Sequence, residues 1–141
     1  MRSVRLVMLC FLLTGCMKRA DLAPLPRITQ FTVSSKTDDY RYSHWSVSDA
    51  KNVAALAAFM DSSRSGWTRA YGVGFGPPSP AYYAHLFEGN RYVGYFAIGA
   101  GALPGSAAFF QVRYGGVFAQ KRITRTEANL FLALIGESPE L

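Results

Sequence analysis

Two stretches of the chain repeat apolar residues at the spacing of an α-helix. In WSVSDAKNVAALAAFMDSS, residues 45–63, the apolar positions are Val53, Leu56, Ala57 and Met60. In ITRTEANLFLALIG, residues 123–136, they are Ala128, Phe131, Leu132 and Ile135. Because residues three and four apart lie on one side of a helix, each stretch predicts an amphipathic helix with one buried side.

Polar residues mark where the two predicted helices begin. Ser46 and Asp49 stand at the start of the first helix, and Thr124 and Glu127 at the start of the second. Each pair has the spacing of a capping box, in which side chains satisfy the free amide groups of the first turn. Gly136 follows the second stretch and suits the left-handed conformation that ends many helices.

Alternating apolar and polar residues predict antiparallel strands between the helices. Residues 82–99 alternate around Gly89-Asn90, and residues 109–123 alternate around Gly115-Gly116. Both dipeptides are typical of two-residue hairpin turns. Further strands are predicted at residues 28–33 and 68–75, and a polar loop at residues 36–42.

The order of these elements predicts an α+β fold in a single small domain. A strand, a helix, several antiparallel strands and a second helix follow one another along the chain. Helices and an antiparallel sheet bury their apolar sides by packing on each other. We therefore expect an antiparallel sheet of about four to five strands with both helices packed on one face.

The two predicted hairpins assign side chains to opposite faces of the sheet. We pair Tyr114 with Val117 and Glu88 with Arg91. This register predicts that one face of the sheet packs in the core and carries Phe110, Val112, Val117, Ala119, Ile123, Ala84, Leu86, Val93, Tyr95 and Ala97. The opposite face then collects mostly aromatic and basic residues: Tyr83, His85, Phe87, Tyr92, Phe96, Phe109, Gln111, Arg113, Phe118, Gln120 and Arg122.

This opposite face has two interpretations. Aromatic and arginine side chains are enriched at the energetic centres of protein interfaces, which favours a binding site. The candidate binding residues are Tyr83, His85, Tyr92, Arg113, Phe118 and Arg122. Alternatively, the N-terminal segment, the first strand or a loop covers the rings and makes a second small core, because large exposed apolar patches are unusual.

The first 16 residues differ from the rest of the chain. Arg2 and Arg5 precede an apolar run over residues 6–13, and small residues lead to Cys16. The run is shorter than the roughly 20 residues that span a bilayer, and the order of its parts is that of a secretory signal. Leu13-Thr14-Gly15-Cys16 resembles the lipobox of bacterial lipoproteins. The resemblance predicts a signal peptide at residues 1–15 and lipidation at Cys16.

The lipoprotein resemblance implies a diacylglycerol on the sulfur of Cys16, cleavage before this residue and acylation of the new amine. Three acyl chains would hold the protein firmly, since each buried methylene contributes about 0.8 kcal/mol. Residues 16–27 would form the lipidated cysteine and a proline-containing tether, and residues 28–141 the globular domain. Met17 follows the cysteine, where an aspartate marks inner-membrane retention in enteric bacteria. We expect a lipid anchor in the outer membrane, facing the periplasm.

The charge of the processed chain bears on its class of partner, and its cysteine content bears on disulfide formation. Without residues 1–15 the chain has 13 basic and 9 acidic residues, a net charge of +4. This weak charge, without any block of like charges, argues against nucleic acid as a partner. Cys16 is then the one remaining cysteine, so the fold has no internal disulfide.

The chain offers no catalytic or metal-binding pattern. Gly72, Gly74 and Gly76 resemble a phosphate-binding loop, but prolines follow them where such a loop needs a helix. His44 and His85 are the two histidines, and neither has a second ligand at metal-site spacing. The serines lie in no nucleophile-elbow pattern. We expect no cofactor, no metal and no enzymatic activity.

Together these features predict a lipid-anchored module that binds or inhibits a protein of the cell envelope. An immunity protein against a periplasmic toxin and an accessory subunit of an envelope assembly both fit. The alternative from another class is a structural lipoprotein that binds peptidoglycan or another glycan by ring stacking. A third hypothesis is an envelope hydrolase that uses His85 or His44 as a general base.

Overall fold

The computed structural model describes residues 18–36, 42–69, 81–99 and 108–136, which form two helices and one antiparallel sheet of eight strands. The strands are β1 (Arg19–Ala20), β2 (Gln30–Lys36), β3 (Tyr42–Val47), β4 (Trp67–Arg69), β5 (Tyr82–Glu88), β6 (Arg91–Gly99), β7 (Phe109–Tyr114) and β8 (Val117–Arg122). The helices are α1 (Ala50–Ser62) and α2 (Arg125–Ile135). The α+β class is confirmed, and the predicted four to five strands are too few.

Neighbouring strands in the sheet follow the order β1-β4-β8-β7-β6-β5-β2-β3. Strands β5 to β8 are consecutive hairpins, and β2 and β3 add a further hairpin beside β5. The connection through α1 carries the chain from β3 at one edge to β4 on the far side. The sheet therefore joins segments that lie far apart in the sequence.

The additional strand β1 lies where the sequence pattern predicts a tether, and the additional strand β3 lies between the predicted loop and the first helix. Within residues 16–27, β1 pairs with β4, and Leu22 is buried in the core. Part of the predicted tether therefore packs with the domain. Strand β3 takes up the end of the predicted loop and the lead into α1. The indole of Trp45 in β3 donates a 2.9 Å hydrogen bond to the carbonyl of Ile135, which ties this edge strand to α2.

The two helix starts differ from each other. Thr124 and Glu127 form the predicted capping box: the Glu127 amide donates to Thr124 Oγ1 at 3.2 Å, and the Thr124 amide donates to Glu127 Oε2 at 2.8 Å. The predicted box of Ser46 and Asp49 is wrong, because Ser46 lies in β3. Asp49 is itself the N-cap and accepts from the Asn52 amide at 3.0 Å. Gly136 ends α2 in the left-handed conformation, as predicted.

Aromatic rings from both helices and the sheet meet in the core. Phe59 of α1 and Phe131 of α2 each contact the rings of Phe96 and Phe110, with centroids 5.3 to 6.3 Å apart. The predicted apolar stripe of α2 is fully buried, and that of α1 is buried at Val53, Leu56 and Met60. We call the sheet face that carries these core rings the core face: Phe31, Val33, Ala84, Leu86, Phe96, Ile98, Phe110, Val112 and Ala119.

A β-bulge reverses part of the predicted face assignment in β6. Leu86 pairs with Gly94 while Phe87 pairs with Tyr92, so Val93 is an extra residue between two pairs. An extra residue shifts every later side chain to the other face. The predictions that Tyr95 and Ala97 lie on the core face and that Phe96 lies opposite are therefore wrong. Phe96 is completely buried in the core, and Val93 packs against its margin.

Most of the predicted polar loop, residues 37–41, falls outside the described residues, and so do three further predicted features. They are the signal peptide with Cys16, the glycine-rich stretch at residues 71–76 and most of the predicted strand at residues 68–75, of which β4 covers the start. Neither α1 nor α2 has the length and the apolar composition needed to cross a membrane.

Candidate functional site: an aromatic face on the sheet

The sheet register brings the predicted aromatic residues together on the face opposite the core face. Residues directly opposite each other in an antiparallel pair point to the same side of the sheet. One such row across β2, β5, β6, β7 and β8 is Thr32, His85, Tyr95, Arg113 and Phe118. We call the set Tyr83, His85, Phe87, Tyr92, Tyr95, Arg113 and Phe118 the aromatic face.

The rings of the aromatic face contact one another. Tyr83 and His85 stack with a centroid distance of 5.8 Å, and Tyr83 meets Tyr95 edge-on at 5.3 Å. Tyr92 contacts both His85, at 6.1 Å, and Phe87, at 5.5 Å. Such ring pairs stabilise each other by more than their buried area alone. The cluster is therefore an ordered surface in which one side chain supports the next.

His85 lies at the centre of this cluster. Its Nε2 atom is 3.0 Å from the hydroxyl of Ser34, and its Nδ1 atom is 3.5 Å from the hydroxyl of Tyr92. Burial lowers the pKa of His85 below its ordinary value, and the nearby charge of His44 lowers it further. The neutral imidazole is thus the favoured form, with one nitrogen donating and the other accepting.

The pKa values of Tyr92 and Tyr95, which contact His85, are shifted by burial and by a nearby cation. Burial raises the pKa of Tyr92 and of Tyr95, and the positive charge of Arg113 opposes this rise in both. The Tyr95 hydroxyl also donates a 3.4 Å hydrogen bond to Gln111 Oε1. Both phenols therefore stay protonated at neutral pH and offer hydroxyl groups beside a cation.

A cleft of about 300 Å³ opens at one end of the aromatic face. It lies where the β6 bulge meets the turn between β7 and β8, and its lining includes Tyr92, Gly94, Arg113, Phe118 and the turn glycines. Tyr92 and Arg113 are exposed, and Phe118 is half-buried. Three of the six predicted binding residues thus lie around one concave site.

The other predicted residues lie away from the cleft. Tyr83 and His85 belong to the aromatic face but do not line the cleft. Arg122 lies opposite Phe109, four residues along β8 from Phe118, which places it roughly 13 Å from the Arg113 row at the usual strand rise. His44 lies on the edge strand β3, across β2 from His85. The structure therefore separates the two arginines that the sequence groups together.

Two residues of the site do not follow from simple alternation. Tyr95 joins the aromatic face only because of the bulge at Val93. Gly94 shapes the cleft because a Cβ there would lie 2.0 Å from the carbonyl oxygen of Arg113. A glycine inside a strand is a known signal for a bulge or for close approach of two backbones. That signal was available in the sequence.

The contact between Ser34 and His85 does not make a hydrolytic site. Ser34 is almost fully buried on an inner strand, and the second His85 nitrogen faces the hydroxyl of Tyr92 instead of a carboxylate. A nucleophile of the serine type needs access to its substrate and a group that orients the base. Within the described part of the chain, no group of three His, Cys, Asp or Glu side chains is placed to hold a metal ion.

No protein-family model, curated protein or solved structure matches this chain.

Proposed function

We propose that this protein is a lipid-anchored lipoprotein of the bacterial cell envelope that binds another envelope protein through the aromatic face, without catalysing a reaction. Cys16 receives a diacylglycerol, residues 1–15 are then removed, and a short tether leads to the domain. The anchor sits in the outer membrane and the domain faces the periplasm. Support comes from the lipobox-like residues at positions 13–16 and from the composition of the aromatic face.

The single observation that carries the binding proposal is the exposure of Tyr92 beside Arg113. Tyr92 is 52 % exposed, although its ring packs on His85 and Phe87. Side chains of these two types, held in place by neighbours, are those that most often dominate the binding energy of protein interfaces. Because the supporting rings are already ordered, a partner would order few side chains on binding.

We infer in addition that both helices pack on the core face, which leaves the aromatic face for a partner. The contacts of Phe59 and Phe131 with the same two sheet rings support this arrangement. An inhibitory module of the immunity type and an accessory subunit of an envelope assembly are both compatible with this arrangement.

Photo-crosslinking in intact cells tests this proposal. A photoreactive phenylalanine analogue at position 92 is expected to give one adduct with a discrete protein. The matched control is the same analogue at Leu130 of α2, which is 53 % exposed and therefore equally accessible. Adducts at both positions, or at neither, would contradict binding through the aromatic face.

Charge reversal at the two separated arginines sharpens the test. Arg113→Glu is expected to abolish the adduct from position 92, because it places a carboxylate in the cleft. Arg122 lies on the same sheet face but outside the cleft. The control variant Arg122→Glu is therefore expected to keep the adduct. Retention of the protein on purified sacculi, with no protein adduct, would instead favour the glycan-binding alternative, in which Tyr92 stacks on a sugar ring.

A further inference from the structure

The size of the cleft limits what enters it. A volume of about 300 Å³ lies at the lower end of the range for ligand-binding pockets. A space of this size accommodates one side chain or a small molecule and excludes an extended surface of a partner. If a protein binds here, it inserts a single group.

The cleft carries a positive charge that no carboxylate among the described residues compensates. Arg113 is exposed, and within the described residues no carboxylate lies at ion-pair distance from it. Glu88, the acidic residue at the nearby β5–β6 turn, pairs with Arg91 instead. A guanidinium binds a carboxylate or a phosphate with two parallel hydrogen bonds, which adds directionality to the charge pairing.

The described lining of the cleft has one cation, Arg113, and this favours a singly charged anion over a doubly charged one. A phosphate group carries close to two charges and is usually met by several cations or by the N-terminus of a helix. The described lining has Arg113 as its only charged residue and includes no helix. A single negative charge on a planar carboxylate matches this lining better.

The walls beside Arg113 favour an apolar or aromatic group next to the anion. The ring of Phe118 lies directly across from Arg113, and the ring of Tyr92 stands at the cleft rim. Gly94 and the two glycines of the β7–β8 turn have no side chains to fill the space between them. A flat group attached to the carboxylate can therefore lie along peptide backbone and between rings.

We propose that the cleft binds a carboxylate carried next to an aromatic or apolar side chain, contributed by the protein partner as the C-terminal end of its chain. The carboxylate pairs with Arg113, and the attached group packs against Tyr92 and Phe118. This inference rests on the proposed function and names the chemistry of the partner group that enters the site.

A matched pair of small molecules tests this chemistry on the full chain purified in mild detergent. The probes are 4-hydroxyphenylacetate and its neutral amide, followed by amide shifts of Gly94, Gly115 and Gly116 in nitrogen-15 spectra. A fragment of this size is expected to bind with a dissociation constant on the order of 1 to 10 mM. The acid is expected to bind roughly tenfold more tightly than the amide.

Arginine variants complete the test. Arg113→Gln is expected to remove the advantage of the acid over the amide, while Arg122→Gln keeps it, and unchanged spectra elsewhere show that each variant is folded. Equal binding of acid and amide, or no saturable shift at these three glycines, would overturn the proposal. A crosslinked partner that depends on Arg113, together with no preference for the acid, would leave the protein-binding function intact and refute only the carboxylate.

Discussion

A Cβ atom on Gly94 would lie within 2.0 Å of the carbonyl oxygen of Arg113 on the neighbouring strand. Gly94 directly follows the bulge, which places Leu86 opposite Gly94 and leaves Val93 as an extra residue. The same geometry turns Tyr95 toward the aromatic face and Phe96 into the core. One glycine therefore governs both the packing of β6 and the shape of the cleft.

Replacement of Gly94 by alanine is expected to destabilise the fold strongly. The new methyl group collides with backbone atoms, which cannot rotate away as a side chain would. The φ of Gly94, 152°, is also strained for any residue other than glycine. We expect a loss of more than about 2 kcal/mol in the free energy of unfolding, because the strand pair must separate to admit the methyl group. Urea unfolding of the purified chain measures this loss.

Gly89→Ala is the matched control for this substitution. Gly89 also has a positive φ, of 58°, but a Cβ there meets nothing within 4 Å. Only the conformational strain remains, at a cost of about 1 kcal/mol. If Gly94→Ala cost no more than Gly89→Ala, the close contact between Gly94 and Arg113 would be wrong.

The bulge also predicts which of two adjacent aromatic residues supports the core. Phe96 is completely buried and contacts the rings of Phe59, Trp67, Phe110 and Phe131. Phe96→Ala is expected to reduce the free energy of unfolding by about 3 to 5 kcal/mol, because a large cavity replaces the ring. Calorimetric and urea unfolding curves of the variant give this value.

Tyr95→Ala provides the comparison, since Tyr95 is half-buried on the opposite face. Its removal leaves the core intact and is expected to cost about 1 kcal/mol. Uninterrupted alternation through β6 predicts the reverse order of the two costs. A larger loss for Tyr95→Ala than for Phe96→Ala would thus support the unbulged register.

The sequence specifies elements that depend on local contacts better than elements that depend on distant packing. Two confirmed predictions depend on contacts between residues close in sequence. They are the capping box of Thr124 and Glu127 and the hairpin turn at Gly115-Gly116. Strand β1 has two residues and no periodicity, so its pairing with β4 depends on the distant packing around Leu22. No local pattern encodes such a contact.

The candidate site was predictable to a similar degree. Tyr83, His85, Phe87 and Tyr92 lie together because period-two alternation and the Gly89-Asn90 turn place them correctly. Beyond the bulge the same rule fails at Tyr95 and Phe96. The spacing between Arg113 and Arg122 along the sheet, and the cleft beside only one of them, follow from the three-dimensional register of β7 and β8.

His85 is expected to make stability depend on pH below neutrality. Its pKa in the folded chain lies below the ordinary value of 6.5, chiefly because of burial and further because of His44. Between these two values the unfolded chain binds more protons than the folded one, so stability is retained above pH 6.5 and falls as pH decreases through the folded pKa. Urea unfolding at a series of pH values from about 7.5 to about 5 measures this loss.

His85→Gln keeps a hydrogen-bonding side chain and is expected to remove this part of the pH dependence. The side chains in contact with His85 are Ser34, Tyr83, Tyr92 and Tyr95, which carry no charge near pH 6. His44 on β3 is the charged group that also lowers the pKa of His85. His44→Gln should weaken the dependence without abolishing it, because burial is the larger cause. Parallel stability curves for the wild type and His85→Gln would contradict the lowered pKa.

Lipid attachment is predicted to depend on Cys16 alone. Cys16→Ser is expected to abolish incorporation of labelled palmitate and to leave a precursor that retains residues 1–15. The reason is that the lipobox resemblance assigns the diacylglycerol to the sulfur of Cys16 and places cleavage only after that transfer. Metabolic labelling with gel analysis of the cell envelope measures both effects.

Cys10→Ser is the control, because Cys10 is the other cysteine of the chain and lies within the apolar run of the leader. Serine at position 10 leaves a run of predominantly apolar residues, so labelling and cleavage are expected to continue. The stable hold on the membrane requires more than one acyl chain, since a single chain binds only marginally. A labelled, normally processed Cys16→Ser variant would refute the anchor.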